Sequence, residues 1–319
     1  MDVVKESPRY AVLFRTHMWD PFVERQFHRL RAHVKDADVF VVANNTSGKC
    51  EVPPDLPVVA FKESDLERMG LAKGGVGGMV WYNVDYPLYY FKCLYNDYNY
   101  YVMIEYDVVI NIPLDHVIAR AFKSGRDLVG LTKGDPFGSW WFRSTCLEVY
   151  SEADVRKMLL PIGIFSSRAV EYLFERRIQM SDMLRRGAIN SWPHCEAFIP
   201  TELTLAGFDV DELVNYGSTN HYSHQPAYLE QDAALLQNEA FVHPVLDTPR
   251  YIESVIKYEW KPERFFLPSS DIRNKLSRFH LREYMLPLGL ALHRRFRKLV
   301  SKSARKLHLP AAIINPRPL

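Results

Sequence analysis

Short apolar runs alternating with helical patterns restrict this chain more than any other feature. Tyr10-Ala-Val-Leu-Phe14, Val39-Phe-Val-Val-Ala43, Val58-Val-Ala-Phe61, Tyr100-Tyr-Val-Met-Ile104 and Asp127-Leu-Val-Gly-Leu131 each read as a strand buried on both faces. Between the first two, Pro21 opens a helical pattern with Phe22, Gln26, Leu30 and Val34 at near-fourfold spacing. Ile162 to Arg168 reads as a strand running into a helix, with Ser166 or Ser167 as N-cap, and Trp192 to Phe208 contains a further helix. Strands separated by helices predict an α/β fold, Rossmann-like, with a mainly parallel sheet flanked by helices. Ligands of such sheets bind at the carboxyl ends of strands. The loop of Arg15, Thr16 and His17 and the loop after Ala43 are therefore candidate ligand loops.

Composition excludes several classes. With 319 residues, 47% hydrophobic and 24% charged, the chain can bury a sizeable core. No stretch reaches the roughly 20 apolar residues of a membrane span, and Met1 to Arg9 lacks the apolar segment of a signal peptide. Cys50, Cys93, Cys146 and Cys195 form no C-x-x-C pair and read as reduced thiols of a cytoplasmic protein. Cys195 follows His194, but adjacent side chains usually diverge, so a nucleophile and base pair is not expected there. The Gly-rich stretch from Lys73 to Gly78 is neither a P-loop nor a dinucleotide fingerprint. It reads as a flexible connector or as a mobile loop that closes over a ligand.

Charge is unevenly placed. Residues 284–319 carry eight Lys/Arg and no Asp or Glu, which leaves 32 basic against 38 acidic residues in the rest. An acidic body argues against a nucleic-acid binder, and the basic tail suggests an anionic partner surface. Leu288, Leu292, Phe296, Leu299, Ser303 and Leu307 form one helical stripe among Arg294, Arg295, Arg297, Lys298, Lys302, Arg305 and Lys306. This is a basic amphipathic helix, suited to peripheral attachment on the inner face of a membrane or to packing on the body with a solvated basic face. The expected organisation is one domain over residues 8–265 and a basic helical C-terminal tail over residues 266–319.

The chemistry concentrates at Glu105-Tyr-Asp107, where the fourth apolar run ends. In an extended chain residues i and i+2 point the same way, so two carboxylates would converge at a strand end. Like charges held close raise each other's pKa, and a divalent cation relieves that repulsion. Mg²⁺ is typically held by one or two carboxylates, with substrate phosphates and water completing the shell. The alternative is an ordinary acidic strand end paired with Arg or Lys.

This element resembles the acidic motif of glycosyltransferases with the GT-A fold, written Asp-x-Asp with variants such as Glu-x-Asp. Four blocks extend the resemblance to a family of glycosyltransferase-like proteins over about residues 9–245: Trp81-Tyr-Asn-Val-Asp-Tyr-Pro-Leu88, Ile104-Glu-Tyr-Asp-Val108, Trp192-Pro-His-Cys-Glu-Ala-Phe-Ile-Pro-Thr201 and Phe241-Val-His-Pro244. The resemblance implies a GT-A-like domain, with Glu105 and Asp107 as the site for Mn²⁺ or Mg²⁺ and the donor diphosphate. His243 matches a late histidine that such enzymes add to the metal shell; a loop histidine beside Pro244 is the alternative. Glu196 follows Pro193 at a helix start, where the helix dipole favours its ionised form. Its position resembles the catalytic base of inverting enzymes, which takes the acceptor hydroxyl's proton; purely electrostatic work at the helix end is the alternative.

Arg15, Asn44 and Asp85 are further candidates for the nucleotide, Arg15 through phosphate or base stacking and Asp85 through ribose or uracil. Trp140 and Trp141 are candidates for a sugar platform, although aromatics of this kind are ordinarily core. The expected activity is therefore transfer of a sugar from a nucleotide-diphosphate sugar, a UDP-sugar foremost, to a glycan or lipid-linked acceptor hydroxyl in cell-envelope or polysaccharide synthesis. A sugar nucleotidyltransferase is disfavoured because the first strand ends in Phe14-Arg-Thr-His17 rather than a Gly-rich basic signature. A non-catalytic glycan- or membrane-binding protein on the same fold is the reading from another class.

Overall fold

The computed structural model describes residues 8–75, 77–132 and 140–306. Val76 of the Gly-rich stretch, the N-terminal Met1 to Ser7, Leu307 and the rest of the tail, and the side chain of Trp141 lie outside the described residues. The chain divides into two compact units: one runs to His224 and includes Leu236–Pro244, and the other comprises Gln225–Leu235 and the chain from Val245.

The first unit is built on a seven-stranded sheet. Its members are β1 (Tyr10–Thr16), β2 (Asp38–Asn44), β3 (Val58–Phe61), β4 (Tyr100–Glu105), β6 (Leu128–Leu131), β7 (Leu159–Ser166) and β8 (Val210–Glu212), while β5 (Val109–Ile110) belongs elsewhere. The order is β3-β2-β1-β4-β7-β6-β8. Strands β3, β2, β1 and β4 are parallel, and so are β6 and β8. This is the mainly parallel, helix-flanked sheet expected of a GT-A-like domain, with β7 antiparallel to both neighbours. A parallel partner needs a crossover, usually helical. Between β6 and β7 the described residues contain a 3₁₀ segment, Trp141–Thr145, and β7 runs in the opposite sense.

Alternation along the strands explains the two cores. Ala11, Leu13, Tyr101 and Met103 enter one cluster, and Tyr10, Val12, Phe14, Tyr100, Val102 and Ile104 enter the other. Successive side chains leave opposite faces of a strand, so a continuous apolar run requires cover on both. On one face α1 (Pro21–Arg31) contributes Phe22, Val23, Phe27 and Leu30. Asp20 caps α1 by accepting from the N–H groups of Phe22 and Val23, both at 3.0 Å. The other face meets α4 (Tyr86–Leu94), α6 (Ser167–Arg185) and α7 (Cys195–Leu205). Short α2 (Glu63–Arg68) and α3 (Met79–Tyr82) precede α4, and α5 (Leu114–Lys123) joins α1 on its face. Ser166 is the N-cap of α6, its hydroxyl accepting from Ala169 N–H at 3.2 Å.

A separate three-stranded sheet, order β5-β11-β9, adds β9 (His221–Tyr222) and β11 (Phe241–His243). The second unit holds the short parallel pair β10 (Tyr228–Leu229) and β12 (Val245–Leu246), with α8 (Glu230–Ala233), α9 (Thr248–Tyr258), α10 (Asp271–Leu276) and α11 (Leu281–Lys306). Ile252, Ile256, Ile272, Leu276, Tyr284, Leu288 and Ala291 form its own core. The expected boundary after residue 265 falls inside this unit, within the 3₁₀ segment Pro262–Phe266. All four cysteines are free thiols. Among the described residues no helix is long and apolar enough to cross a membrane.

Gly74 and Gly75 of the Gly-rich stretch pack closely on aromatic side chains. A Cβ on Gly74 would stand 2.2 Å from the Trp192 ring, and one on Gly75, whose φ is +87°, 2.4 Å from the Tyr82 ring. The backbone there lies flat on two aromatic faces, which only glycine permits. Gly74→Ala is expected to destabilise the first unit by about 1–3 kcal/mol through overpacking, read as a lower midpoint in thermal melts.

Candidate active site

Sheet register assembles the site. Arg15 and Glu105 are paired positions of β1 and β4, so their side chains leave the same face side by side. Arg15 Nη2 donates to Glu105 Oε1, and Arg15 Nη1 donates to the Val84 carbonyl at 3.3 Å. The arginine expected at phosphate holds the Glu105 carboxylate. Strand β4 ends at Glu105, and Val108 N–H donates to the Glu105 carbonyl at 3.1 Å. Glu105 and Asp107 are therefore brought together by a turn and not by the pleat of a continuing strand.

His243 reaches them through the small sheet. Strand β11 runs antiparallel to β5, with Val242 opposite Val109. The next residue, His243, then falls beside the turn that precedes β5. Asn111 secures this crossing: its N–H donates to Ala240 O at 3.0 Å and its side-chain amide to Glu239 O at 2.8 Å. His243 Nε2 lies 3.7 Å from Asp107 Oδ1 and 3.9 Å from Glu105 Oε2, and ligand atoms of all three residues lie within 4.8 Å of one another.

The donor chemistry fits a metal. His243 Nδ1 is 2.8 Å from the Ser223 carbonyl, which can only accept. The proton of a neutral imidazole therefore sits on Nδ1 and its lone pair on Nε2, turned towards the carboxylates. Such an outer hydrogen bond is the usual device that orients a histidine ligand. Two acceptor-only carboxylates and one imidazole lone pair within a few ångströms repel unless a cation or proton joins them.

Glu196 borders this cluster. It lies in the first turn of α7, whose N-cap His194 accepts from the Glu196 N–H through Nδ1 at 3.2 Å. Burial, and after it the Glu105 carboxylate, push the Glu196 carboxyl up to about 7, against the Leu160 N–H and Lys157. The helix start was expected to favour the ionised form of Glu196; burial and the Glu105 charge act in the opposite sense. Cys195 is fully buried, and burial raises its thiol well above the usual value. His194 is pushed down to about 3 by burial and Arg177, so this pair supplies no activated thiolate.

Two residues without a sequence signal also belong here. Tyr222 pairs with His243 in the β9–β11 register, and its hydroxyl accepts from Ile162 N–H at 2.7 Å. Burial together with Glu105, Glu196 and Asp107 keeps this phenol protonated, only the Ile162 N–H working against them. Lys157 Nζ stands 5.2 Å over the Trp140 ring while acting on Glu196. Trp140 is half-buried and packs edge-on to Phe142 at 5.9 Å. Phe142 in turn stacks on His194 at 3.6 Å, and the exposed Trp81 ring lies 6.1 Å from His194.

Two further nucleotide candidates have partners within the chain. Asn44 Oδ1 accepts from Thr46 N–H at 3.1 Å and from Thr46 Oγ1 at 2.6 Å, closing the turn after β2. Asp85 is corrected outright. It is fully buried, accepting from Arg177 Nε at 2.8 Å and from the Tyr89 hydroxyl at 2.9 Å, with no access for ribose or base. Arg177 is equally buried, donates to Pro193 O at 3.2 Å and lies 3.7 Å from the Phe198 ring centroid. Asp85→Asn leaves that guanidinium without its counter-charge and is expected to destabilise by about 3–5 kcal/mol, measured by denaturant unfolding.

No family model and no curated protein matches this chain. Among solved structures it is similar to the crystal structure of mouse xyloside xylosyltransferase 1 in its apo form, at 8% identity over 74% of this chain and 97% of that one, with a TM-score of 0.42. A likeness that distant carries no argument about activity or substrate.

Proposed function

We propose that this protein is a metal-dependent glycosyltransferase that moves a sugar from a nucleotide-diphosphate sugar to an acceptor hydroxyl. The observation that carries the reading is the convergence of Glu105, Asp107 and His243, supported by a carboxyl, Glu196, that burial and the Glu105 charge push up to about 7. Glu105, Asp107 and His243 would hold Mn²⁺ or Mg²⁺, the imidazole nitrogen leaning towards Mn²⁺. When bound, such a cation neutralises charge on the departing diphosphate.

The rest is work for the chain's own residues. Arg15 fixes one oxygen of Glu105. Ser223 fixes the tautomer and ring plane of His243. Glu196 takes the proton of the acceptor hydroxyl as its oxygen bonds to the anomeric carbon and the bond to the diphosphate oxygen breaks, which inverts the configuration. A base whose pKa lies close to the working pH is present in its ionised form and still accepts strongly. The half-buried Trp140, with Lys157 over its ring, and the exposed Trp81, beside His194, would offer apolar surface for the C–H face of an acceptor sugar. The donor would be a UDP-sugar and the acceptor a glycan or lipid-linked glycan of the cell envelope.

A thermal-shift panel of UDP, GDP, CMP and dTDP, each with and without Mn²⁺, tests this. One nucleotide is expected to raise the midpoint by about 5 °C at saturation, only with metal, because a ligand that binds the native state alone stabilises it. No shift for any nucleotide in a cooperatively melting protein would instead favour a non-catalytic glycan binder on the same fold.

A further inference from the structure

The amphipathic stripe of α11 is divided between two environments. Its first half is used for packing: Tyr284, Leu288 and Ala291 are buried with Ile252, Ile256, Ile272 and Leu276 of α9 and α10. Arg295 closes this part, its Nε 3.5 Å from Glu263 Oε1. Beyond Arg295 none of the described side chains is buried. Phe296 is 65% exposed, Leu299 43% and Val300 37%. At about 100° per residue, Phe296, Leu299, Val300 and Ser303 share one arc of this half, and Arg294, Arg297, Lys298 and Lys302 occupy the opposite one.

We propose that this second half of α11 docks the protein on an anionic lipid surface, with Phe296, Leu299 and Val300 entering the headgroup boundary and the basic side chains lying along it. The inference stands apart from the transfer reaction proposed above.

Charge decides the occupant. Residues 284–319 contain eight Lys/Arg and no acidic residue, so a second copy docking through the same face would bring like charge against like. A nucleic acid would satisfy the cations but leave three large apolar side chains in water. A bilayer carrying anionic headgroups satisfies both arcs at once, since an interfacial helix combines apolar insertion with electrostatic attraction.

The test is co-sedimentation of the full chain with phosphatidylcholine vesicles, with and without phosphatidylserine. The protein is expected to pellet with the serine-containing vesicles and to stay in solution with phosphatidylcholine alone. Two double variants at exposed positions, Lys298→Glu with Lys302→Glu and Phe296→Ser with Leu299→Ser, are each expected to weaken binding by about tenfold or more while leaving the thermal melt unchanged. Failure of the folded wild type to pellet would overturn the proposal. So would loss in the charge variant with full binding in the apolar one, which together with retention of a single-stranded oligonucleotide would assign the surface to nucleic acid. A dimer in light scattering that the Phe296→Ser, Leu299→Ser variant dissolves would also overturn it, giving the face to a second copy.

Discussion

Asp107→Asn is expected to abolish metal-dependent nucleotide binding and to lower turnover by about 100- to 1,000-fold, the usual effect of removing one group that stabilises charge in a transition state. Asn keeps the size and the turn of Asp107 but withdraws one of the charged ligand atoms that stand within 4.8 Å of each other. The same change relieves repulsion between neighbouring carboxylates when no cation is present. The variant's melting midpoint in EDTA is therefore expected to equal or exceed that of the wild type. Loss of function with retained stability separates a ligand role from a folding role. His243→Ala is a poorer probe, because it also removes the hydrogen bond to the Ser223 carbonyl. A variant that bound nucleotide and metal as the wild type does would remove Asp107 from the site.

Glu196→Gln is expected to move activity and stability in opposite directions. Turnover should fall by about 100- to 10,000-fold, the usual contribution of a positioned general base. Stability should rise at alkaline pH. In the folded protein the Glu196 carboxyl is held near 7, above its ordinary value of 4.5, by burial and then by Glu105. Below both values the group is protonated folded and unfolded, and it costs nothing. As pH rises through the interval the unfolded chain releases its proton first. The native state then binds more protons, and stability falls with pH. Above pH 7 the full cost stands, on the order of 3 kcal/mol. Glutamine has no charge to desolvate, so the variant should melt several degrees higher than the wild type at pH 8 in EDTA and alongside it at pH 4. A wild type with an acid limb near pH 7 in kcat/KM, absent from the residual activity of the variant, would complete the assignment. Unchanged turnover would move the base elsewhere or point to retention of configuration. A group kept at a cost to stability is what a functional site requires and a packing role does not.

The strands were legible because a buried β-run needs nothing beyond its own residues. Tyr10 to Phe14 and Tyr100 to Ile104 are apolar throughout, and both faces of the sheet are covered. The reversed sense of β7 was not legible, since it is set by its pairing with β4 and β6, both distant in sequence. The acidic pair was visible, but its geometry was not: Glu105 and Asp107 converge through a turn closed by Val108 N–H. His243 carried a signal only by likeness to a motif, because the strands that deliver it are two and three residues long, too short to show a period. Asp85 misled for a related reason. An acid among aromatics resembles a ribose contact until its partner is known, and Arg177 lies 92 residues away. Tyr222 offered no local pattern at all, its place being set by pairing with β11.

Crystals of the full chain soaked with Mn²⁺ and UDP, measured at a wavelength where manganese scatters anomalously, would locate the metal and the diphosphate. One anomalous peak is expected, bounded by Asp107, His243 Nε2 and Glu105, with the UDP diphosphate against it and Glu196 facing the open side. Diphosphate density elsewhere, or a site that stays without a peak while UDP is bound, would contradict the metal-dependent reading.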